Sequence, residues 1–169
     1  MRFFTSDWHL GHVNILRYAN RPFPTTGAMD AHLIERWNAV ASDEDEVWIL
    51  GDLAMGPIDE SLARVAALRG RVVLVPGNHD RCWAGWTHRR PSPTARDEWR
   101  ARYLAAGIDE IVDEPEPLRI GDELVALSHF PYRGSGDHTY EERFPEWRLE
   151  DRGGWLLCGH VHDLWRQQG

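Results

Sequence analysis

With 169 residues, 42% hydrophobic and 27% charged, the chain is long enough to bury a core of its own, and its composition excludes a disordered, fibrous or membrane-spanning protein. Arg plus Lys total 19 against 27 Asp plus Glu, and the resulting −8 repels polyanions at long range, so binding to long nucleic acid is disfavoured. No stretch approaches the ~18 apolar residues of a membrane span, Asp7 interrupts the start too soon for a secretory segment, and Cys82 and Cys158 form no CxxC pair, so a cytoplasmic protein with two plain thiols is expected.

In chain order, residues 2–5, 47–50, 72–75, 124–127 and 155–158 form short apolar runs that read as strands buried on both faces. Helical spacing intervenes at 28–40, through Ala31, Leu33, Ile34, Trp37 and Val40, and at 58–68, through Ile58, Leu62, Val65 and Ala66. The stretch 81–102 is rich in Pro, Arg and Trp and has no clear period until about Thr94, which predicts a lid-like insertion rather than core. Pro115, Pro117 and Gly121-Asp122 divide 111–127 into a hairpin that joins a second sheet. The alternation predicts a single α/β domain over 1–169, with two sheets and helices outside. Most of the nine tryptophans read as packing residues.

Every apolar run ends in a polar residue or cluster: Asp7-Trp8-His9, Gly51-Asp52, Gly77-Asn78-His79-Asp80, His129 and Gly159-His160-Val161-His162. Carboxyl ends of strands are where open α/β sheets place their sites. In extended backbone, residues i and i+2 project to one side, so Asp7 with His9 and His160 with His162 are expected to converge on an ion. The glycines at 51, 77 and 159 let the chain turn tightly. Singly, Asp7 reads as a helix N-cap, Gly51-Asp52 as a turn and His129 as a buried, satisfied histidine. Together they supply two carboxylates, four imidazoles and an amide oxygen, with His79 to spare. This mixture suits Mn²⁺, Fe or Zn²⁺ better than Ca²⁺ and, lacking Cys, argues against a structural zinc site.

The five blocks, in this order over almost the whole chain, resemble the calcineurin-like metallophosphoesterases, whose motifs run D-x-H, G-D, G-N-H-D or E, an isolated H, and G-H-x-H. Residues 4–15 resemble more narrowly the small bacterial and phage phosphoesterases that begin near F-T-S-D-x-H-x-G-H-x-N-I. The resemblance implies a double β-sandwich flanked by helices, with a dinuclear site on the loops at one edge. Asp7, His9 and His162 would hold one divalent ion, Asn78, His129 and His160 the other, and Asp52 would bridge them. Mn²⁺ is the first expectation, with Fe, Zn²⁺ or Ni²⁺ as alternatives. Two such ions ~3.5–4 Å apart lower the pKa of a bridging water and furnish a hydroxide for attack on phosphorus. With only two carboxylate ligands, the site keeps positive charge for a phosphoryl oxygen. His79, free of metal, would protonate the leaving oxygen or bond the phosphoryl group, with Asp80 orienting its ring.

The expected substrate is a small, nucleotide-like phosphodiester. Arginines 81, 89, 90, 96, 100 and 102, interleaved with Trp83, Trp86 and Trp99, either stack a base and hold a phosphate or form a solvated face whose rings pack inward. His12 and Asn14 reach the phosphate or serve as cap and surface. Arg133 and His138 lie in a Gly-containing segment, 133–140, that would close over the pocket. The chain stops seven residues after His162, where family members usually add strands, so the second sheet is expected to be small or covered by a partner, and the oligomeric state stays open. Competing readings are a DNA or RNA nuclease, distinguished by steep salt dependence, an inactive scaffold, which would be expected to lack ligands or the free histidine, and a binding module with purely structural ions.

Overall fold

A computed structural model describes residues 1–86, 93–134, 142–162 and 164–167. Strands β1 (Arg2–Thr5), β2 (Glu46–Ile49), β3 (Arg71–Leu74) and β4 (Glu110–Ile111) form a parallel sheet in that order. Parallel neighbours require crossovers, and the chain between them carries α1 (Ile15–Tyr18), α2 (Thr26–Val40), α3 (Ile58–Ala63) and α4 (Pro93–Ala105). A second sheet of β5 (Leu118–Ile120), β6 (Glu123–Ser128) and β7 (Trp155–Cys158) pairs β5 with β6 antiparallel across Gly121-Asp122, and β6 with β7 parallel.

Alternation along each central strand explains the layering. Val47, Ile49, Val72, Leu74 and Ile111 join a cluster with Trp37, Leu62, Val65 and Tyr103 from the helices and the turn after α3. Trp48, Leu50, Val73 and Val75 point the other way and meet Leu127, Leu118 and Leu157 of the second sheet. Both faces are covered, which is why the runs show no hydrophobic alternation. The result is an α/β sandwich of two sheets, with helices packed on the outer face of the first.

The helix over 58–68 divides, because α3 stops at Ala63 and the chain tightens into a 3₁₀ turn over Val65–Ala67, a common way to end a helix. The stretch 81–102 differs more from expectation. Cys82 and Trp83 are buried, and α4 starts at Pro93, an apt first helical residue, and carries the fully buried Tyr103 into the core. Both ends are therefore anchored in the core; residues 87–92, including Arg89 and Arg90, are outside the described residues. No helix among those described is long and apolar enough to cross a membrane.

Candidate metal centre

All five clusters arrive at the carboxyl edge of the two sheets, but not in extended backbone. Asp7, His9, Asp52, His160 and His162 have φ between 48° and 69°, five of the seven non-glycine residues with positive φ among those described. Left-handed backbone costs such residues roughly 1 kcal/mol or more each and persists only where its surroundings enforce it. The enforcement is visible: Asp7 N donates to Gly51 O at 3.0 Å, His9 N to Asp52 O at 2.9 Å, and His160 N to the Asp7 carboxylate at 3.0 Å. Arg21 donates to the carbonyls of Asp7 and Trp8, clamping the first loop from outside. The i, i+2 convergence expected from a straight strand is thus produced by alternating left-handed residues instead.

Asp7, His9, Asp52 and His162 bring one ligand atom each within 4.8 Å of one another. His9 Nε2 is 3.2 Å from His162 Nε2 and 3.6 Å from Asp52 Oδ2, and His162 Nε2 is 3.6 Å from Asp7 Oδ1. On the other side of Asp52, His129 Nε2 lies 3.5 Å from the same Oδ2 and 3.2 Å from Asn78 Oδ1. The ring of His160 stands 5.2 Å from that of His129. Asp52 therefore lies between two sets of donors, Asp7, His9 and His162 on one side and Asn78, His129 and His160 on the other.

The donors suit divalent ions. His129 Nδ1 faces the Leu50 carbonyl at 2.9 Å and must donate to it, which leaves Nε2 for the interior; His9 Nδ1 faces the Met55 sulfur at 3.4 Å and leaves its Nε2 similarly aimed. Burial pushes the His9 pKa well down, favouring the neutral ring that ligates metal. Burial also raises Asp7. At Asp52 burial opposes the charge, but the rings of His129, His79 and His9 and the His79 amide outweigh it and hold the carboxyl well below its usual range. His129 is raised despite burial, chiefly by Asp52 and Asp7. Buried carboxylates facing imidazoles in this way favour a compensating cation between them.

Glycine is obligatory at the Gly51 turn, with φ at +84° and any Cβ 2.3 Å from His129 Nδ1. Gly51→Ala is expected to lower unfolding free energy by about 3 kcal/mol or more, read as a fall in the urea midpoint. At Gly77 a Cβ would lie 2.3 Å from Asp52 Oδ1, so the backbone itself forms the wall of the site.

His79 is set apart from the ligands: its side chain is 36% exposed, its Nε2 is 4.0 Å from Asp52 Oδ2, and its amide donates to Asp52 Oδ1 at 2.9 Å. Asp80 does not orient that ring. It is fully buried, and its carboxylate accepts from the amides of Asp52 (2.8 Å), Gly77 (2.8 Å) and Leu53 (3.1 Å) and from the Tyr103 hydroxyl (3.3 Å). Burial, then the Asp52 charge, push Asp80 up to about 7. Asp80 is consequently a brace beneath Asp52 rather than a partner of His79.

His12 places its ring 5.5 Å from that of His9 and 6.4 Å from that of His79, with a buried Nδ1 that has no hydrogen-bond partner among the described residues. Asn14 is exposed at the N-cap of α1 and makes no capping bond with its side chain. Arg133 is exposed, and His138 lies outside the described residues. Among the described residues of the Arg/Trp patch, most arginines are taken up by neighbouring rings or carboxylates. Arg81 and Arg102 each lie 4.6 Å from the Trp99 ring, Arg96 and Arg100 bind Asp113, and Trp83 is buried against Phe130, Phe144 and Trp147. Arg21, Met55 and Tyr103 carried no signal in the sequence, since each acts through a contact that only the folded chain creates.

A buried set of nitrogen and oxygen donors, divided by one central carboxylate at the strand ends of an α/β sandwich, defines a metal-dependent hydrolase centre. Residues 3–164 match the family described as calcineurin-like phosphoesterase, and the chain belongs to that family. It is accordingly a phosphoric ester hydrolase that uses divalent metal. Among curated proteins it is similar to the Gene 66 protein of Mycobacterium phage D29, 39% identical over 94% of this chain and 77% of that one. It is also similar to the Gene 66 protein of Mycobacterium phage L5, at 35% over 94% and 76%. Among solved structures it resembles AQ665 from Aquifex aeolicus, a protein of unknown function, with a TM-score of 0.62 and 27% identity over 87% of this chain and 67% of that one.

Proposed function

We propose that this chain hydrolyses small phosphodiesters at two divalent ions, Mn²⁺ by preference, with a nucleotide-like organic group as the favoured substrate. The observation that carries the reading is Asp52 Oδ2, placed 3.6 Å from His9 Nε2 and 3.5 Å from His129 Nε2. A carboxylate so placed can serve both groups of ligands at once, Asp7, His9 and His162 on one side and Asn78, His129 and His160 on the other. Held by these residues, two divalent ions would supply the Lewis acidity to activate water near neutral pH and to polarise the phosphoryl group.

The chain's own residues do the rest. His79, one-third exposed beside Asp52, is positioned to give a proton to the leaving oxygen. His12 flanks the same opening and bonds a phosphoryl oxygen, with Asn14, Arg81 and Arg133 as outer contacts. Preference for a singly charged diester over a dianionic monoester is favoured because Arg21 binds backbone carbonyls and Arg96 and Arg100 pair with Asp113, which leaves, among the described residues, only the outer contacts Arg81 and Arg133 as cations toward the ester. A cleft of about 820 Å³ beside His129, walled in part by Pro76, Trp83, Phe130 and Trp147, has room for the organic part of the ester. Two free thiols accord with a cytoplasmic setting.

The test is hydrolysis of a bis-aryl and a mono-aryl phosphate by metal-stripped protein before and after Mn²⁺ is restored. Metal-dependent turnover with the diester preferred is expected. Folded, Mn²⁺-loaded protein that cleaves neither ester would point to the scaffold. Cleavage confined to DNA or RNA, weakening steeply with salt, would point to a nuclease.

A further inference from the structure

The Tyr103 hydroxyl has no packing reason to exist. The ring is fully buried near the end of α4, within the cluster that joins the helices to the first sheet, and Phe would fill the same volume. Burying a hydroxyl costs free energy unless it is bonded. Here it is bonded twice, donating to Asp80 Oδ1 at 3.3 Å and accepting from Arg81 N at 3.3 Å. Those partners lie at one point of the fold. Arg81 opens the segment that α4 ends, so the hydroxyl ties the beginning of 81–102 to the residue just beyond its end.

Asp80 passes this tie to the centre. Its Oδ2 accepts from the Asp52 and Gly77 amides and its Oδ1 from the Leu53 amide, so the two glycine loops that carry Asp52 and Asn78 hang on one carboxylate. Turning that carboxylate would move the Asp52 amide, and with it the Oδ2 that stands between His9 and His129. Tyr103 supplies the fourth donor and the only one of the four that comes from a helix. The other three belong to the loops being held.

We infer that Tyr103 is a positioning residue that ties α4 and Arg81 to Asp80 and thereby keeps Asp52 set for two ions at once. This rests on the two-ion reading above. Outer partners of ligands commonly govern tenfold or more in metal affinity or activity.

The experiment compares wild type, Tyr103→Phe and Val65→Ala, the last removing packing from the same cluster without touching a hydrogen bond of Asp80. Mn²⁺ binding is followed by calorimetry, and the formation of spin-coupled pairs by low-temperature EPR. Tyr103→Phe is expected to bind the second Mn²⁺ about tenfold more weakly and to lose a similar factor in kcat, with KM for the bis-aryl phosphate unchanged. Val65→Ala should lose stability and keep wild-type Mn²⁺ affinity. Wild-type pair formation in Tyr103→Phe, or weakening in both variants in proportion to lost stability, would overturn the inference. Wild-type protein that takes up no Mn²⁺ would overturn the metal reading first, and this inference with it.

Discussion

Asp52→Asn is expected to abolish hydrolysis while leaving a folded protein. The side chain keeps its shape, and its remaining carbonyl oxygen can still accept from the His79 amide, so the loop should hold. What disappears is the anion that sits between His9 and His129, with both imidazole nitrogens within 3.6 Å of one oxygen. An amide presents one oxygen and no net charge, and cannot serve two cations as a carboxylate does. Mn²⁺ stoichiometry should fall from two to at most one, and kcat/KM for the bis-aryl phosphate by about 10³-fold or more, since activation of the water needs both ions. Retention of two ions with activity within tenfold of wild type would remove Asp52 from the bridging role.

The opposite separation is expected for His79→Ala. Its ring is the most exposed imidazole of the site and lies outside the inner donor groups, so both ions should bind as in wild type while kcat falls about 10²–10⁴-fold. A proton donor matters most when the leaving oxygen is basic. The deficit should therefore shrink for a nitrophenyl ester and grow for an alkyl ester. An equal loss for both would assign His79 to the phosphoryl group instead of the leaving oxygen, and a loss of metal in step with activity would make it a ligand.

The positions of β2 and β3 were legible because each is an apolar run short enough to cross one sheet and buried on both sides, as Val72 and Val73 show by joining opposite clusters, whereas β6 and β7 are apolar runs that leave Leu124 and Trp155 more than half exposed. The hairpin at Gly121-Asp122 was legible for its turn chemistry. The stretch 81–102 was not, because Cys82, Trp83 and Tyr103 enter the core from a turn and a helix separated by polar residues, so no single period links them. Asp80 was assigned to His79 on adjacency alone, yet adjacent side chains in a turn often point apart, and its carboxylate instead faces the amides of Asp52, Leu53 and Gly77.

The sequence by itself determined the donor chemistry and its order. Carboxylates, imidazoles and an amide follow β1, β2, β3, β6 and β7, and the parallel pairing of β1 with β2 and β3, and of β6 with β7, sets those strand ends on a common edge of each sheet. Tertiary structure decided how those donors face one another. The left-handed turns at Asp7, His9, Asp52, His160 and His162, the Arg21 clamp and the brace from Tyr103 through Asp80 all depend on hydrogen bonds between segments distant in the chain. Such backbone is unfavourable locally, so no local pattern announces it. It exists because the assembled loops supply partners that offset its cost.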